Sequence, residues 1–194
     1  VTNGHVHRGF EEHRAFDPTV RLWMSGADGH RFKDITDLPW IASEKDPDLA
    51  TIAIPVEMAA AQGKQHAVLP TWPPKRPDVG MLAFLIGYPG ETRITTGDET
   101  SIRPVVIGLK IVSVSNRHFV IQDENGNAAR IWADDAKPLG SVGGISGCAV
   151  YVWDKNGQTP GEMTFLGGFE YEAGGDDLLF VLHADYINSD GAIR

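Results

Sequence analysis

The chain is built mainly from short apolar segments that are rich in β-branched and aromatic residues and bounded by turn-forming residues. Its 194 residues include 22 Gly and 12 Pro, a composition that favours tight turns and short strands over long helices. Segments of this kind are typical of β-strands. The predicted strands lie at residues 20–24, 49–54, 81–87, 104–114, 119–122, 129–132, 148–153, 163–169 and 178–182. The pattern therefore predicts an all-β protein.

Helical and turn signals refine this prediction. Only residues 55–63 favour a helix, because they are rich in Ala and Gly63 is suited to end it. Asn125-Gly126 and Asn156-Gly157 each lie between two predicted strands, and both dipeptides favour hairpin turns because Asn and Gly tolerate positive φ. Many short strands joined by such turns predict a β-sandwich or β-barrel.

A proline-rich segment divides the chain. Residues 70–78 read Pro-Thr-Trp-Pro-Pro-Lys-Arg-Pro-Asp, and a stretch with so many prolines cannot contribute to the interior of a sheet. It is typical of an extended linker. The sequence therefore predicts a first β module at residues 1–70, a linker at 71–78 and a second β module at 79–194.

Charge and composition exclude several classes of partner. The formal net charge is −9, whereas nucleic acids and anionic membranes are bound by clustered positive charge. No apolar run approaches the roughly 18 residues of a membrane span. Cys148 is the one cysteine, so neither an internal disulfide nor a zinc site built from cysteines can form. We expect no nucleic-acid partner and no membrane span.

Ser146 is the first candidate catalytic residue. It lies in Gly-Gly-Ile-Ser-Gly-Cys-Ala-Val at residues 143–150, with glycines on both sides and an apolar strand after it. Such a turn can lift a hydroxyl out of the backbone and leave nearby N–H groups free to hold a developing oxyanion. The same segment is also compatible with an ordinary glycine-rich turn.

A serine nucleophile needs a base and a group that orients the base. His5 follows a run of small residues and is expected at the end of a strand, and Asp48 is the last acid before the apolar strand at 49–54. Each residue alone is also compatible with a surface position. The combination of Ser146, His5 and Asp48 is more specific than any one of them.

Together these segments resemble the chymotrypsin-like (trypsin-like) serine peptidases, especially the bacterial trypsin-like peptidase domains without disulfides. Residues 1–6 resemble the histidine motif of that family, residues 48–50 the aspartate motif and residues 144–147 the serine motif. Residues 87–90 resemble an early turn of the second barrel, and residues 165–172 the strand that lines the substrate cleft. The order His, Asp, Ser is the one used by that fold, with separations of 43 and 98 residues.

The resemblance implies a fold and a set of roles. The fold would be two antiparallel β-barrels of the six-stranded type, the first carrying His5 and Asp48 and the second carrying Ser146. Ser146 would be the nucleophile, His5 the general base and then acid, and Asp48 the residue that orients the imidazole. The backbone N–H groups of Gly144 and Ser146 would form the oxyanion hole.

The resemblance also implies an activity and a substrate. The protein would be a serine endopeptidase that cleaves peptide bonds through an acyl-enzyme, with no cofactor and no metal. Glu170, Tyr171 and Glu172 would border the cleft in which an extended protein or peptide substrate pairs as an added strand. Gly140 would lie at the pocket floor, where it supplies no carboxylate. We therefore expect small or apolar side chains at the cleavage position.

The chain departs from the family pattern in several places. Ile145 stands where many members have an aspartate that pairs with a new N-terminus, so activation by cleavage is not expected. Glu172 stands where glycine is common, which alters access to the subsites. The strands that precede the histidine in the family are missing. We expect the first barrel to be incomplete as given, and the native protein to carry further strands before Val1. The compartment is left open.

Two other kinds of active site are compatible with parts of the sequence. A metal site could use His5, His7 and His13 with Glu11 and Glu12, but no second cluster of ligands stands out in the sequence.

An α/β-hydrolase could pair Ser146 with His183, but Cys148 replaces the last glycine of its nucleophile turn and alternating helices are absent. Cys148 itself is expected to be a small buried residue and not a nucleophile. The remaining alternative is a double barrel of the same fold that no longer cleaves and acts as a binding or regulatory module.

Overall fold

The computed structural model describes residues 1–26, 32–64, 71–88, 93–96, 99–102, 105–122, 129–130, 145, 147–157, 164–174 and 178–194. The chain is mostly β, with few helices. Two α-helices are described: α1 (Gly4–Phe16) and α2 (Val56–Ala61). The strands are β1 (Trp23–Ser25), β2 (Phe32–Asp34), β3 (Trp40–Ser43), β4 (Ala50–Ile52), β5 (Leu82–Gly87), β6 (Arg93–Thr96), β7 (Glu99–Ile102), β8 (Val105–Val114), β9 (His118–Gln122), β10 (Ala129–Arg130), β11 (Ala149–Trp153), β12 (Thr164–Ala173) and β13 (Leu178–His183).

The second half of the chain forms a closed antiparallel barrel of six strands. The strands follow the order β8, β5, β11, β12, β13, β9, and β9 pairs back with β8 to close the barrel, while β10 adds to the side of β8. Closure removes open sheet edges, so the backbone N–H and C=O groups of the six strands find partners within the barrel. The expected barrel in the second module is therefore confirmed.

The barrel interior is aliphatic and aromatic. Leu85, Ile111, Phe119, Val150 and Val181 are fully buried, each from a different strand. Ten-residue strands such as β8 and β12 bend around this core at irregular positions, one of which falls between Glu170 and Glu172 in β12. Such bulges re-aim side chains and are frequent beside functional sites.

The first half of the chain has a different organisation. Its described strands form two separate two-stranded sheets, β1 with β2 and β3 with β4. The described residues before the linker therefore contain no closed barrel. The helix expected at residues 55–63 is confirmed as α2. Each of the nine predicted strands overlaps a strand of the structure, although residues 20–24 share only Trp23 and Met24 with β1 and residues 131–132 lie outside the described residues.

The 13-residue helix α1 was not predicted, and it corrects the placement of His5. His5 was expected at the end of a strand, but it is the second residue of α1. The helix buries only Gly4 and Phe10, so its apolar face is narrow and its sequence carries little of the apolar periodicity that marks a helix. Tertiary contacts hold it instead, since Arg14 bonds Asp37 and the backbone oxygen of Thr36.

The linker packs against the second module. The Nε1 of Trp72 donates to the backbone oxygen of Ile187 over 3.0 Å, Lys75 pairs with Asp154, and Arg76 pairs with Asp185 at 2.9 Å. The turn predicted at Asn156-Gly157 is present, and the backbone N–H of Gly157 donates to the oxygen of Asp154. Asn125-Gly126 lies outside the described residues.

The C-terminal segment returns to the first module. The hydroxyl of Thr51 in β4 donates to the backbone oxygen of Gly191 over 2.7 Å. The loop that joins β3 to β4 is held from the other side, because Arg117 lies 2.6 Å from Asp46. The barrel and the first module therefore meet along the segment that carries Asp48.

Candidate functional site

Two backbone hydrogen bonds bring the His5 segment beside the Asp48 segment. The N–H of Thr2 donates to the oxygen of Ala50 over 2.9 Å, and the N–H of Ala50 donates back to the oxygen of Thr2 over 2.7 Å. His5 lies three residues after one member of this bridge, and Asp48 lies two residues before the other. The bridge therefore sets the two side chains next to each other.

The side chains of His5 and Asp48 form a direct hydrogen bond. The Nδ1 of His5 lies 2.5 Å from the Oδ2 of Asp48, shorter than the usual range of N–H···O bonds. Asp48 is a quarter exposed and His5 is more than half exposed. The imidazole therefore lies at the surface, with its inner nitrogen on a partly buried carboxylate.

Arg8 holds the other oxygen of Asp48. Its Nη2 lies 2.7 Å from Oδ1, and its Nη1 donates to the backbone oxygen of Glu44 in the same loop. Arg8 lies one turn after His5 on α1, so one helix supplies both partners of the carboxylate. Gly4 makes room for this arrangement, because a Cβ there would lie 2.3 Å from the oxygen of Glu44.

The charge state of Asp48 decides the tautomer of His5. Partial burial acts to raise the pKa of Asp48, but the hydrogen bonds and positive charges of His5 and Arg8 outweigh it and hold that pKa below its ordinary value. An ionised carboxylate can only accept hydrogen bonds, so the proton of the short bond belongs to Nδ1. The Nε2 of a neutral His5 is then the nitrogen that can accept a proton.

The segment after Ser146 lies against the segment before His5. Gly147 has φ +82°, and a Cβ built there would lie 2.5 Å from the Cα of Thr2. The N–H of Gly147 donates to the backbone oxygen of Glu170 over 2.8 Å, and the N–H of Glu170 donates to the oxygen of Cys148. Gly147 is therefore fixed to strand β12 on one side and touches the His5 segment on the other.

Three of the predicted site residues fall outside the described residues. These are the nucleophile Ser146, the oxyanion-hole residue Gly144 and the pocket-floor residue Gly140. The structure therefore brings together His5 and Asp48 of the predicted triad, and it describes Ile145 and Gly147 on either side of Ser146.

The three predicted cleft residues differ in exposure. Glu170 is buried with 1% exposure, Tyr171 is half-buried and Glu172 is exposed. Because β12 is irregular between Glu170 and Glu172, Tyr171 is the extra residue of the bulge. A molecule on the surface would meet Tyr171 and Glu172, whereas the carboxyl group of Glu170 is turned away from it.

Asn3 links the His5 segment to the same strand. It is buried with 1% exposure, and its Nδ2 donates to the backbone oxygen of Tyr171 over 3.1 Å. As the residue before α1 it could have capped the helix with its side chain, but it makes no such bond. The side chain that could have accepted a hydrogen bond from the first N–H groups of α1 instead joins the two halves of the chain.

Cys148 is partly buried against the barrel core, and His183 is fully buried. Burial, together with the charge of Glu170, raises the pKa of the Cys148 thiol to about 12, so it stays protonated and is a poor nucleophile. His183 is fully buried and packs on Phe119, with its Nε2 2.9 Å from the backbone oxygen of Ser115. The raised thiol pKa agrees with the expectation that Cys148 is not a nucleophile, although its burial is partial. The contacts of His183 count against it as the base of an α/β-hydrolase.

The histidines of α1 have separate partners: the Nε2 of His7 lies 3.8 Å from a carboxylate oxygen of Glu11, one turn further along the helix. His7 stacks on Trp40 with 4.0 Å between ring centroids, while His5 bonds Asp48. Residues two apart on a helix face different directions. Within the described part of the chain, no group of three His, Cys, Asp or Glu side chains is arranged to hold a metal ion.

Comparison of the chain with protein-family models, with curated proteins and with solved structures finds no match. Over the described residues, no helix has both the length and the apolar character needed to cross a membrane.

Four residues of the site were missed by sequence reasoning: Asn3, Gly4, Arg8 and Gly147. The signal for Arg8 was its spacing of three from His5, which places the two side chains on one face only if the segment is helical. Asn3, Gly4 and Gly147 matter through contacts with segments at least 40 residues away, and no local pattern carries that information.

Proposed function

We propose that the protein is a serine endopeptidase of the chymotrypsin-like type, with Ser146, His5 and Asp48 as its catalytic triad. The observation that carries the proposal is the short His5–Asp48 bond, which leaves the outer nitrogen of a surface imidazole free to accept a proton. The contact of Gly147 with Thr2 supports it, because Gly147 directly follows Ser146 and Thr2 precedes His5 by three residues. The proposed fold is the double barrel of that family, in which the first module takes the place of the first barrel beside the second barrel.

The proposed reaction runs through an acyl-enzyme. The Oγ of Ser146 attacks the carbonyl carbon of the scissile peptide bond while Nε2 of His5 takes the hydroxyl proton. The backbone N–H groups of Gly144 and Ser146 hold the oxyanion. His5 then gives its proton to the departing amine. A water molecule, deprotonated by the same nitrogen, attacks the acyl carbon, the bond from that carbon to Oγ breaks, and His5 returns the proton to Ser146. Asp48 stays ionised throughout and stabilises the imidazolium.

The proposed substrate is an extended segment of protein or peptide. Strand β12 runs past its last pairing with β11, at Phe169, so its end pairs as a strand only with β13; there Tyr171 is half-buried and Glu172 is exposed. An extended chain can add to such an edge by backbone hydrogen bonds. Since Gly140 carries no charge, small or apolar side chains are the proposed preference at the cleavage position.

The experiment that tests this proposal is labelling with a fluorophosphonate, which reacts preferentially with an activated serine. The modified residue is located by peptide mapping. Ser146→Ala is the direct test, and Ser113→Ala is the matched control, because Ser113 is an exposed serine of the barrel. His5→Ala tests the base, with the exposed His13 of the same helix changed to Ala as its control.

The expected result is an adduct on Ser146 in the wild type and in both controls, and none in Ser146→Ala or His5→Ala. An adduct elsewhere, or equal labelling of His5→Ala and the wild type, would refute the triad. Absence of any adduct in a folded wild type would favour a binding or regulatory module that no longer cleaves.

A further inference from the structure

Asn3 is a buried polar residue between the first module and the barrel. It is 1% exposed, and its Nδ2 donates to the backbone oxygen of Tyr171 in β12 over 3.1 Å. The two residues are 168 positions apart in the sequence, so this bond joins the two parts of the chain. A buried hydrogen bond is costly to break, because water does not replace the lost partner. The bond therefore fixes Asn3 relative to β12.

The backbone around Asn3 is held as well. Thr2 exchanges two hydrogen bonds with Ala50, and the backbone oxygen of Asn3 accepts hydrogen bonds from N–H groups near the start of α1. On the barrel side, a Cβ on Gly147 would lie 3.2 Å from the backbone nitrogen of Asn3. We call the place where Thr2 and Asn3 meet Gly147 and β12 the junction. His5 follows the junction by two residues, within the first turn of α1.

The side chain of Asn3 does not serve the helix that it precedes. Asn is among the preferred N-cap residues, because its side-chain oxygen can accept from the N–H groups of the first turn. Asn3 is the N-cap of α1 but makes no such bond, and among the described residues its Oδ1 has no hydrogen-bond partner. Its side-chain bond to Tyr171 therefore serves the contact between the first module and the barrel, and not the local stability of α1.

The His5–Asp48 pair depends on such contacts for its place beside the barrel. Both residues belong to the first module, and the bond between them involves no group of the barrel. Arg117 of the barrel also reaches the first module, at 2.6 Å from Asp46, but the side chain of Asp46 is 83% exposed and water weakens such a pair. The bond of Asn3 is buried and lies closer to His5 in the chain. It is therefore the stronger constraint on the base.

We propose that Asn3 is a positioning residue that holds the His5–Asp48 pair in place against β12 of the barrel. The inference rests on the proposed peptidase function, in which His5 acts on groups carried by the barrel. Asn3 touches neither the substrate nor the reacting atoms in this scheme, and it acts through His5. Loss of its bond to Tyr171 displaces the pair as a unit and leaves the bond between His5 and Asp48 intact.

The test uses two substitutions that keep an N-cap residue but remove the bond to Tyr171. Asn3→Asp has nearly the same shape and no N–H to donate, whereas the side chain of Asn3→Ser is too short to reach the oxygen of Tyr171. Asp and Ser are N-cap residues as favourable as Asn, so both variants can still cap α1. Arg117→Met is the matched contrast, because it removes the exposed contact between the same two parts of the chain.

Two readouts separate positioning from a structural role. Fluorophosphonate labelling of Ser146 reports whether the base reaches the nucleophile. The nitrogen chemical shifts of the His5 imidazole report whether Nδ1 carries the proton, which its bond to Asp48 decides. Both Asn3 variants should keep the proton on Nδ1 and label about 10- to 100-fold more slowly, since a displacement of about 1 Å can cost about 100-fold in rate. Arg117→Met should label within about fivefold of the wild type.

The outcomes distinguish the role of Asn3 from the peptidase function. Unchanged labelling of both folded Asn3 variants would overturn the role of Asn3 and leave the peptidase function standing. Slow labelling together with loss of the proton on Nδ1 of His5 would also overturn it, because Asn3 would then support the pair itself. Absence of labelling in the folded wild type would overturn the peptidase function and this role with it.

A measurement on the wild type decides the case in which neither Asn3 variant folds. Hydrogen exchange of the Asn3 side-chain amide reports its bond to Tyr171 directly. Strong protection of one amide hydrogen is the expected result. Exchange at the rate of a solvent-exposed amide would overturn the proposal, because the side chain would then not hold β12.

Discussion

The guanidinium of Arg8 and the imidazole of His5 bond to different oxygens of the Asp48 carboxylate. The Nη2 of Arg8 lies 2.7 Å from Oδ1, and the Nδ1 of His5 lies 2.5 Å from Oδ2. Both side chains come from the first two turns of α1, and Asp48 comes from the loop before β4. The carboxylate is therefore oriented by two bonds from one rigid element. A group that is held in this way can fix the imidazole without moving during a proton transfer.

Without Arg8, the Asp48 carboxylate should be held less rigidly but should keep its bond to His5. We expect Arg8→Met to lower the fluorophosphonate labelling rate a few-fold, because Asp48 then keeps only its bond to His5 and the pKa of Asp48 moves up towards its ordinary value. Arg14→Met, which removes the pair with Asp37 further along the same helix, should leave labelling unchanged. Equal effects of the two substitutions would contradict the specific role of Arg8.

Asp48→Asn should be far more damaging to activity than to folding. An amide can donate to Nδ1 and so favours the tautomer with its proton on Nε2, which cannot accept the hydroxyl proton. In enzymes with this triad the same change lowers kcat by about 10⁴-fold, and we expect a loss of about 10³- to 10⁴-fold here. Steady-state cleavage of a peptide substrate measures it. Asp37→Asn, at an exposed aspartate, is the control, and a loss below tenfold would argue that Asp48 is not the orienting acid.

Ser146→Ala and His5→Ala should each remove nearly all peptidase activity, and the double variant should be hardly worse than either. Members of a triad act as a unit, so their losses do not add. The measurement is kcat for the three proteins together with a melting curve for each. Losses that multiply in the double variant would indicate two independent contributions and not one proton-transfer unit.

Gly147→Ala and Gly80→Ala form a matched pair. Both glycines have positive φ, at +82° and +88°, but a Cβ on Gly147 meets Thr2 whereas a Cβ on Gly80 meets nothing within 4 Å. Each change should cost about 1–2 kcal/mol of backbone strain. Only Gly147→Ala should also abolish labelling, because it pushes the His5 segment away. If both variants label like the wild type, the contact between Gly147 and Thr2 does not position the site.

The free energy of unfolding should decrease as the pH rises from about 4.5 to about 7. Glu170 has its pKa raised to about 7 in the folded protein from 4.5, so over this interval the native state binds more protons than the unfolded state, and its stabilising effect is lost as it ionises. At 1.36 kcal/mol per pH unit the decrease is about 3 kcal/mol. Urea titrations at several pH values measure it. Glu170→Gln should lack this decrease, and an identical decrease in that variant would assign it to other groups.

The strands of the barrel could be predicted from the sequence because their signal is local. In β9 three buried residues lie between turn residues, and β5, β8, β11, β12 and β13 show the same enrichment in β-branched and aromatic residues. Hydrophobic burial acts on every such segment in the same way, whichever strand it pairs with. The segments were therefore predictable, whereas their order around the barrel was not.

Helix α1 could not be predicted from its own residues. Its residues have few apolar positions, and Arg8 and Arg14 bind it to the loops after and before β3, respectively. Those partners are 22 to 40 residues away in the sequence. A helix held by distant partners leaves little trace in its own pattern.

The sequence by itself determined the residue types of the candidate site and their order, and it indicated His5 and Asp48 as possible partners. The tertiary structure decided that these two side chains bond, that Arg8 shares the carboxylate, and that Glu170 is buried at the junction. The physical reason is that a hydrogen bond depends on distances within a few tenths of an ångström. Such distances arise only when separate elements pack together, here through the reciprocal bonds of Thr2 with Ala50 and the close contact of Gly147 with Thr2.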